Sequence, residues 1–90
     1  MNRILVSVVI PVYNCGQFIV NCVESVTKQT LREIEIIILD DCSTDDTLKN
    51  IPNDPRIKII KNKKKQGSGI LRNEGIELAR GVYIAFLDGD

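Results

Sequence analysis

Apolar residues along the chain follow two rhythms. Residues 4–12 are nearly continuous in valine and isoleucine, as a strand covered on both faces of a parallel sheet requires, and Pro11 and Asn14 close it. Over residues 16–28, Phe18, Ile19, Cys22, Val23 and Val26 recur at helical spacing while Asn21, Glu24, Ser25 and Lys28 fall elsewhere, which predicts an amphipathic helix laid on a sheet. Residues 34–39 (IEIIIL) form a second β-branched strand that runs directly into Asp40 and Asp41.

Ser43, followed three residues later by Asp46, has the form of a capping box and predicts a short helix with Thr47, Leu48 and Ile51 on its apolar side. Pro52, Asn53, Asp54 and Pro55 must end it, because each proline removes a donor and turns its predecessor away from helix. Residues 57–60 (IKII) read as a third strand and residues 61–66 as a loop. Ser68 is placed to N-cap a helix lined by Leu71, Gly75, Leu78 and Ala79, with Gly81 as its left-handed terminator. Residues 82–87 (VYIAFL) form a fourth strand, ending in Asp88, Gly89 and Asp90. The order β-α-β-α-β-α-β predicts an α/β fold: a Rossmann-like, mostly parallel sheet with helices on both faces.

Composition adds limits. A chain of 90 residues has room for one domain. Twelve basic residues balance twelve acidic ones, so no overall field gathers nucleic acid or an anionic membrane. The basic run Lys61, Lys63, Lys64 and Lys65 reads as a solvated loop and receives no catalytic role. Cys15, Cys22 and Cys42 are odd in number, lack CxxC spacing and have no histidine beside them, which fits reduced thiols and a cytoplasmic location rather than a disulfide framework or zinc site. The first apolar run is too short to span a bilayer.

The chemistry collects at strand ends. Open parallel sheets bind ligands beyond the carboxyl ends of their strands. Three clusters fall there: Pro11, Tyr13 and Asn14; Asp40 and Asp41; and Asp88 and Asp90. Carboxylates one residue apart, as in Asp88-Gly89-Asp90, suit a hard divalent cation and its diphosphate partner. Successive side chains of a strand alternate sides, so of Asp40 and Asp41 one is expected to face a ligand and the other the protein. A carboxylate can accept from the ring N–H of a uracil or thymine. Tyr13 reads equally as a stacking face for a base or as a half-buried core aromatic. Arg72 reads as a phosphate ligand or as a partner of Glu74 or Glu77.

Together, VSVVIPVYN (6–14), ILDDCSTDDT (38–47) and LRNEGIELARGVYIAFLDGD (71–90), with their spacing, resemble the inverting family-2 glycosyltransferases over almost the whole chain. The resemblance implies a GT-A fold and transfer of a sugar from a nucleoside diphosphate donor, a UDP-sugar, to an acceptor hydroxyl, with Mg or Mn on the diphosphate. It assigns Pro11, Tyr13 and Asp41 to the nucleobase, Arg72 to the donor phosphates or ribose, and Asp88 and Asp90 to ribose and metal. Leu71 and Gly69 depart from the alanine and serine common in the family.

It further implies that residues 1–90 are the donor-binding half of the domain, with no catalytic base among them, the base and acceptor site being expected after Asp90. Such a piece is expected to bind donor, to be inactive alone and to self-associate. The parent protein would act on a saccharide or lipid-linked acceptor, in the cytoplasm or at the inner face of the membrane. A dinucleotide-binding domain is rejected because PVYNCG is not GxGxxG. A receiver module lacks its aspartate after the third strand, and a nucleotidyltransferase lacks a basic glycine-rich loop after the first. These Mg-binding α/β modules remain the alternatives.

Overall fold

In the computed structural model, which describes residues 3–88, the two continuous apolar runs are the central strands of a parallel sheet. Strands β1 (Val6–Val12) and β2 (Ile34–Asp40) pair from Val6 opposite Ile34 to Val12 opposite Asp40. Strand β3 (Ile57–Lys61) flanks β2 and β4 (Tyr83–Phe86) flanks β1, giving the all-parallel order β3-β2-β1-β4. Every residue of β2 is buried, because both faces of the sheet are covered there.

Helix α1 (Gln17–Thr27) covers one face, setting Ile19, Val23 and Val26 against Val8, Ile10, Ile36 and Ile38. Helix α2 (Ser68–Leu78) covers the other, with Leu71 packed among Val9, Ile37 and Leu39. Its close approach depends on Gly75, since a Cβ there would fall 2.3 Å from Val9 Cγ1. The predicted fold class, with helices on both faces, is the observed one.

Four local expectations are corrected. Phe18 leaves the apolar face of α1 and stands 65% exposed. Ser43 and Asp46 form no capping box: Ser43 Oγ accepts the Asn14 N–H, Asp46 pairs with Lys49, and only a 3-10 turn, Leu48–Asn50, follows. Gly67, not Ser68, is the N-cap residue of α2, with no side-chain cap bond of its own. Gly81 is not a left-handed terminator, for α2 ends when Ala79 becomes extended. Position 81 is glycine because a Cβ would meet Ser7 N at 2.7 Å and Val6 C at 2.9 Å.

That contact belongs to a buried polar cluster tying four segments together. Glu35 accepts from the Ser7 hydroxyl at 2.6 Å, the Arg80 N–H at 2.7 Å and Lys58 Nζ at 3.0 Å, while the Gly81 N–H donates to Ser7 Oγ at 2.8 Å. Burial pushes the Glu35 carboxyl up, but the bonds from Ser7, Arg80 and Lys58 outweigh it and hold the group below the usual glutamate range. The segment leading into β4 is thereby fastened to β1 and β2.

Candidate functional site

The chain moves outward from β1 through β2 to β3, then returns to place β4 on the far side of β1. This reversal opens a crevice beyond the carboxyl ends of β1 and β4, the position at which such sheets take ligands. A cleft of about 400 Å³ lies there, lined by Pro11, Tyr13, Asp41, Arg72 and Asp88 together with Cys15, Lys65, Gly67, Ser68 and Leu71. Five of the six residues expected from the sequence are thus brought together. Asp90, the sixth, lies outside the described residues, as does Gly89.

The β1 loop is shaped by a latch that the sequence disguised as a helix. Asn14 has a φ of +48°, a conformation asparagine tolerates. Its Oδ1 accepts the N–H groups of Thr44 at 2.8 Å and Asp45 at 3.3 Å. Thr47, fully buried, accepts the N–H groups of Cys15 at 2.9 Å and Gly16 at 3.1 Å on its hydroxyl oxygen and donates to Asp45 Oδ1. The Thr47 hydroxyl holds the Asp45 carboxyl below the usual aspartate range. The loops after β1 and β2 are therefore fixed to each other, and Tyr13 is presented at 42% exposure in the cleft rather than in the core.

Asp40 and Asp41 are both buried, and strand alternation separates them. Asp40 shares the α1 face with Ile36 and Ile38, where its Oδ2 accepts the Ser43 N–H at 3.2 Å. Asp41 lines the cleft, and its two oxygens accept the Gln66 N–H at 2.6 Å and the Gly67 N–H at 3.0 Å. This carboxylate, one residue beyond β2, thereby holds the two residues that lead into α2, near the positive end of the helix dipole. Gly67, at φ +91°, occupies a backbone state that suits glycine and turns the loop into the helix. Each Asp41 oxygen retains acceptor capacity toward the cleft.

Arg72, on the first turns of α2, pairs with Asp88 at 3.0 Å and donates to Ser68 Oγ at 3.4 Å; neither Glu74 nor Glu77 is its partner. The pair is exposed, and such pairs contribute about 0–1 kcal/mol, so an arriving phosphate can open it at little cost. Among the described residues, no group of three or more His, Cys, Asp or Glu gathers for a metal. Asp88 offers hard carboxylate oxygen at the cleft, the donor type that Mg and Mn share with diphosphate. Burial, then the charges of Cys15 and Asp88, pushes the nearby Cys22 thiol up.

Lys65 was missed. It is exposed and in the loop before α2, as expected for the lysine run, but its ammonium lies 3.7 Å from the centre of the Tyr13 ring and lines the cleft. The available signal was position: Lys65 stands two residues before Gly67, in the segment that must pass Asp41 to begin α2.

A crevice at the switch point of a parallel sheet, furnished with an aromatic face, a buried carboxylate and an arginine, marks the chain as a ligand-binding α/β domain. The model of the family "Glycosyl transferase family 2" matches residues 7–90, and the chain belongs to that family. It is 48% identical over 90 residues to chondroitin synthase of Escherichia coli, covering 96% of this chain and 13% of that protein. It is 50% identical over 88 residues to the E. coli UDP-Glc:alpha-D-GlcNAc-diphosphoundecaprenol beta-1,3-glucosyltransferase WfaP, covering 96% of this chain and 35% of that protein.

Among solved structures, S. aureus TarS 1-349 in complex with UDP-GlcNAc superposes with a TM-score of 0.86 at 30% identity, over 97% of this chain and 27% of that one. The mannosyltransferase PcManGT from Pyrobaculum calidifontis, in complex with GDP-Man and Mn2+, shares the fold with a TM-score of 0.87 at 21% identity, over 100% of this chain and 28% of that one. The fold is that of the GT-A glycosyltransferases. The chain spans 13 to 35% of the lengths of the first curated relatives it matches. No helix among the described residues is long and apolar enough to cross a membrane.

Proposed function

We propose that this chain binds the nucleoside diphosphate of a UDP-sugar in the β1–β4 cleft and serves transfer of the sugar, with inversion, to an acceptor hydroxyl. The carrying observation is the convergence of Tyr13, Asp41, Arg72 and Asp88 on one cleft at the topological switch point. The likeness to a TarS structure holding UDP-GlcNAc supports uracil as the base. Tyr13 supplies the stacking face and Pro11 the adjoining wall. Asp41, already oriented by Gln66 and Gly67, accepts from the uracil ring N–H. Arg72 exchanges Asp88 for a phosphate oxygen, which frees the Asp88 carboxylate for ribose or a cation.

The carboxylate chemistry of Asp88, with that of Asp90 two residues on, suits a divalent Mg or Mn ion, which would supply neutralisation of charge on the departing diphosphate. Inversion requires one in-line displacement at the anomeric carbon and a base to deprotonate the acceptor. Asp41 is held by backbone N–H groups and assigned to the nucleobase, and Asp88, once Arg72 leaves it, is assigned to ribose or the cation, so neither is disposed as that base and residues 1–90 are assigned donor binding alone. The names of the chondroitin synthase and WfaP relatives support a saccharide or lipid-linked acceptor, the diphosphoundecaprenol in the second placing such an acceptor at a membrane.

Titration calorimetry with UDP, GDP and NAD, each with and without Mn, tests the donor assignment. UDP is expected to bind, and more tightly with Mn. Binding of NAD but not UDP would exclude it.

A further inference from the structure

We propose that Lys65 is an exchangeable cation of this site: it rests on the Tyr13 ring while the cleft is empty, leaves when a base stacks there, and then pairs with the diphosphate of the same ligand. This inference rests on the nucleotide reading above.

Three observations carry it. First, Lys65 Nζ sits 3.7 Å from the Tyr13 ring centre, and both side chains line the cleft. A base stacked on that face needs the same space, so base and ammonium exclude each other. Second, the main chain beside Lys65 is anchored, because the next two N–H groups, of Gln66 and Gly67, are held by buried Asp41. A displaced ammonium on its four-carbon stem therefore stays within reach of the cleft.

Third, among the described residues Lys65 has no carboxylate partner while the cleft is empty. The Asp41 oxygens already hold two backbone donors and Asp88 pairs with Arg72 until a diphosphate draws that arginine away and leaves Asp88 to ribose or a divalent ion. A diphosphate brings the negative charge that the displaced lysine then needs. A nucleoside displaces the lysine and offers it nothing, whereas a nucleoside diphosphate displaces and rewards it. Lys65 would thus favour phosphorylated ligands over their parent nucleosides.

The test compares UDP with uridine on the intact 90-residue chain. Lys65→Met keeps the apolar stem and removes the charge; the side chain is exposed, so the fold should be little affected, as circular dichroism will show. UDP affinity is expected to fall about tenfold, as for loss of one charge-assisted contact, while uridine affinity stays level or rises. Lys65→Arg should retain most of the preference for UDP. If Lys65→Met weakens both ligands equally, or leaves UDP unchanged, the exchange does not occur. If wild-type protein binds neither ligand, or binds both regardless of Tyr13→Ala, the nucleotide site itself is overturned and this role with it.

Discussion

Asp41→Ala should weaken UDP binding about a hundredfold, equivalent to about 2.7 kcal/mol, and should lower stability as well. The carboxylate has two tasks. It is the buried acceptor available to a base, and it fastens the Gln66 and Gly67 N–H groups that start α2. Truncation leaves those donors unsatisfied, at a cost of about 1–3 kcal/mol each if they stay dry. It also frees the segment that sets Lys65 over Tyr13. Asp41→Asn keeps the volume and one acceptor oxygen, so it should recover part of the stability but little of the affinity. Calorimetry and thermal melts on both variants check this. An Asp41→Ala protein that melts and binds UDP like wild type would show that the carboxylate has neither task.

Glu35→Ala, at the opposite end of the sheet, should be strongly destabilising, because it leaves the Ser7 hydroxyl and the Arg80 N–H without an acceptor at a cost of about 1–3 kcal/mol each, while Lys58, 47% exposed, returns to solvent. In a domain this small each kcal/mol moves Tm by about 4–8 °C, so the variant should melt more than about 10 °C lower. The same group sets an acid limit. Its folded pKa lies below its unfolded one, so its stabilisation is complete above the ordinary glutamate pKa of about 4.3 and is lost as pH falls through the folded value. Urea denaturation at neutral pH and near pH 3 should show that wild type loses stability in acid and that Glu35→Ala loses less. Equal acid losses in the two proteins would assign the acid sensitivity to other carboxylates.

How much was legible in the sequence depended on how local the cause was. β1, β2 and α1 were readable because coverage on both faces, or on one, writes itself into hydrophobic periodicity. The cleft residues were readable because topology alone carries strand ends to one edge, whatever the side chains do. Thr47 was misread because Ser43 to Asp46 satisfies a local helix pattern, whereas its actual partners, Cys15 and Gly16, lie about thirty residues earlier. Gly81 resembled a helix terminator, but the reason for glycine is the backbone of Ser7, which comes near only once β4 docks on β1. Lys65 was hidden among neighbouring lysines, and only the Asp41 anchor distinguishes it from them.

The central claim is that the cleft between the ends of β1 and β4 is where a uridine diphosphate binds, and amide NMR during a UDP titration tests it most directly. The account predicts shifts centred on Tyr13, Asp41, Gly67, Arg72 and Asp88, with Glu35, Arg56 and Arg80 at the amino ends of the strands unmoved. Shifts centred on Glu35, Arg56 and Arg80 instead, or none at saturating UDP, would contradict it.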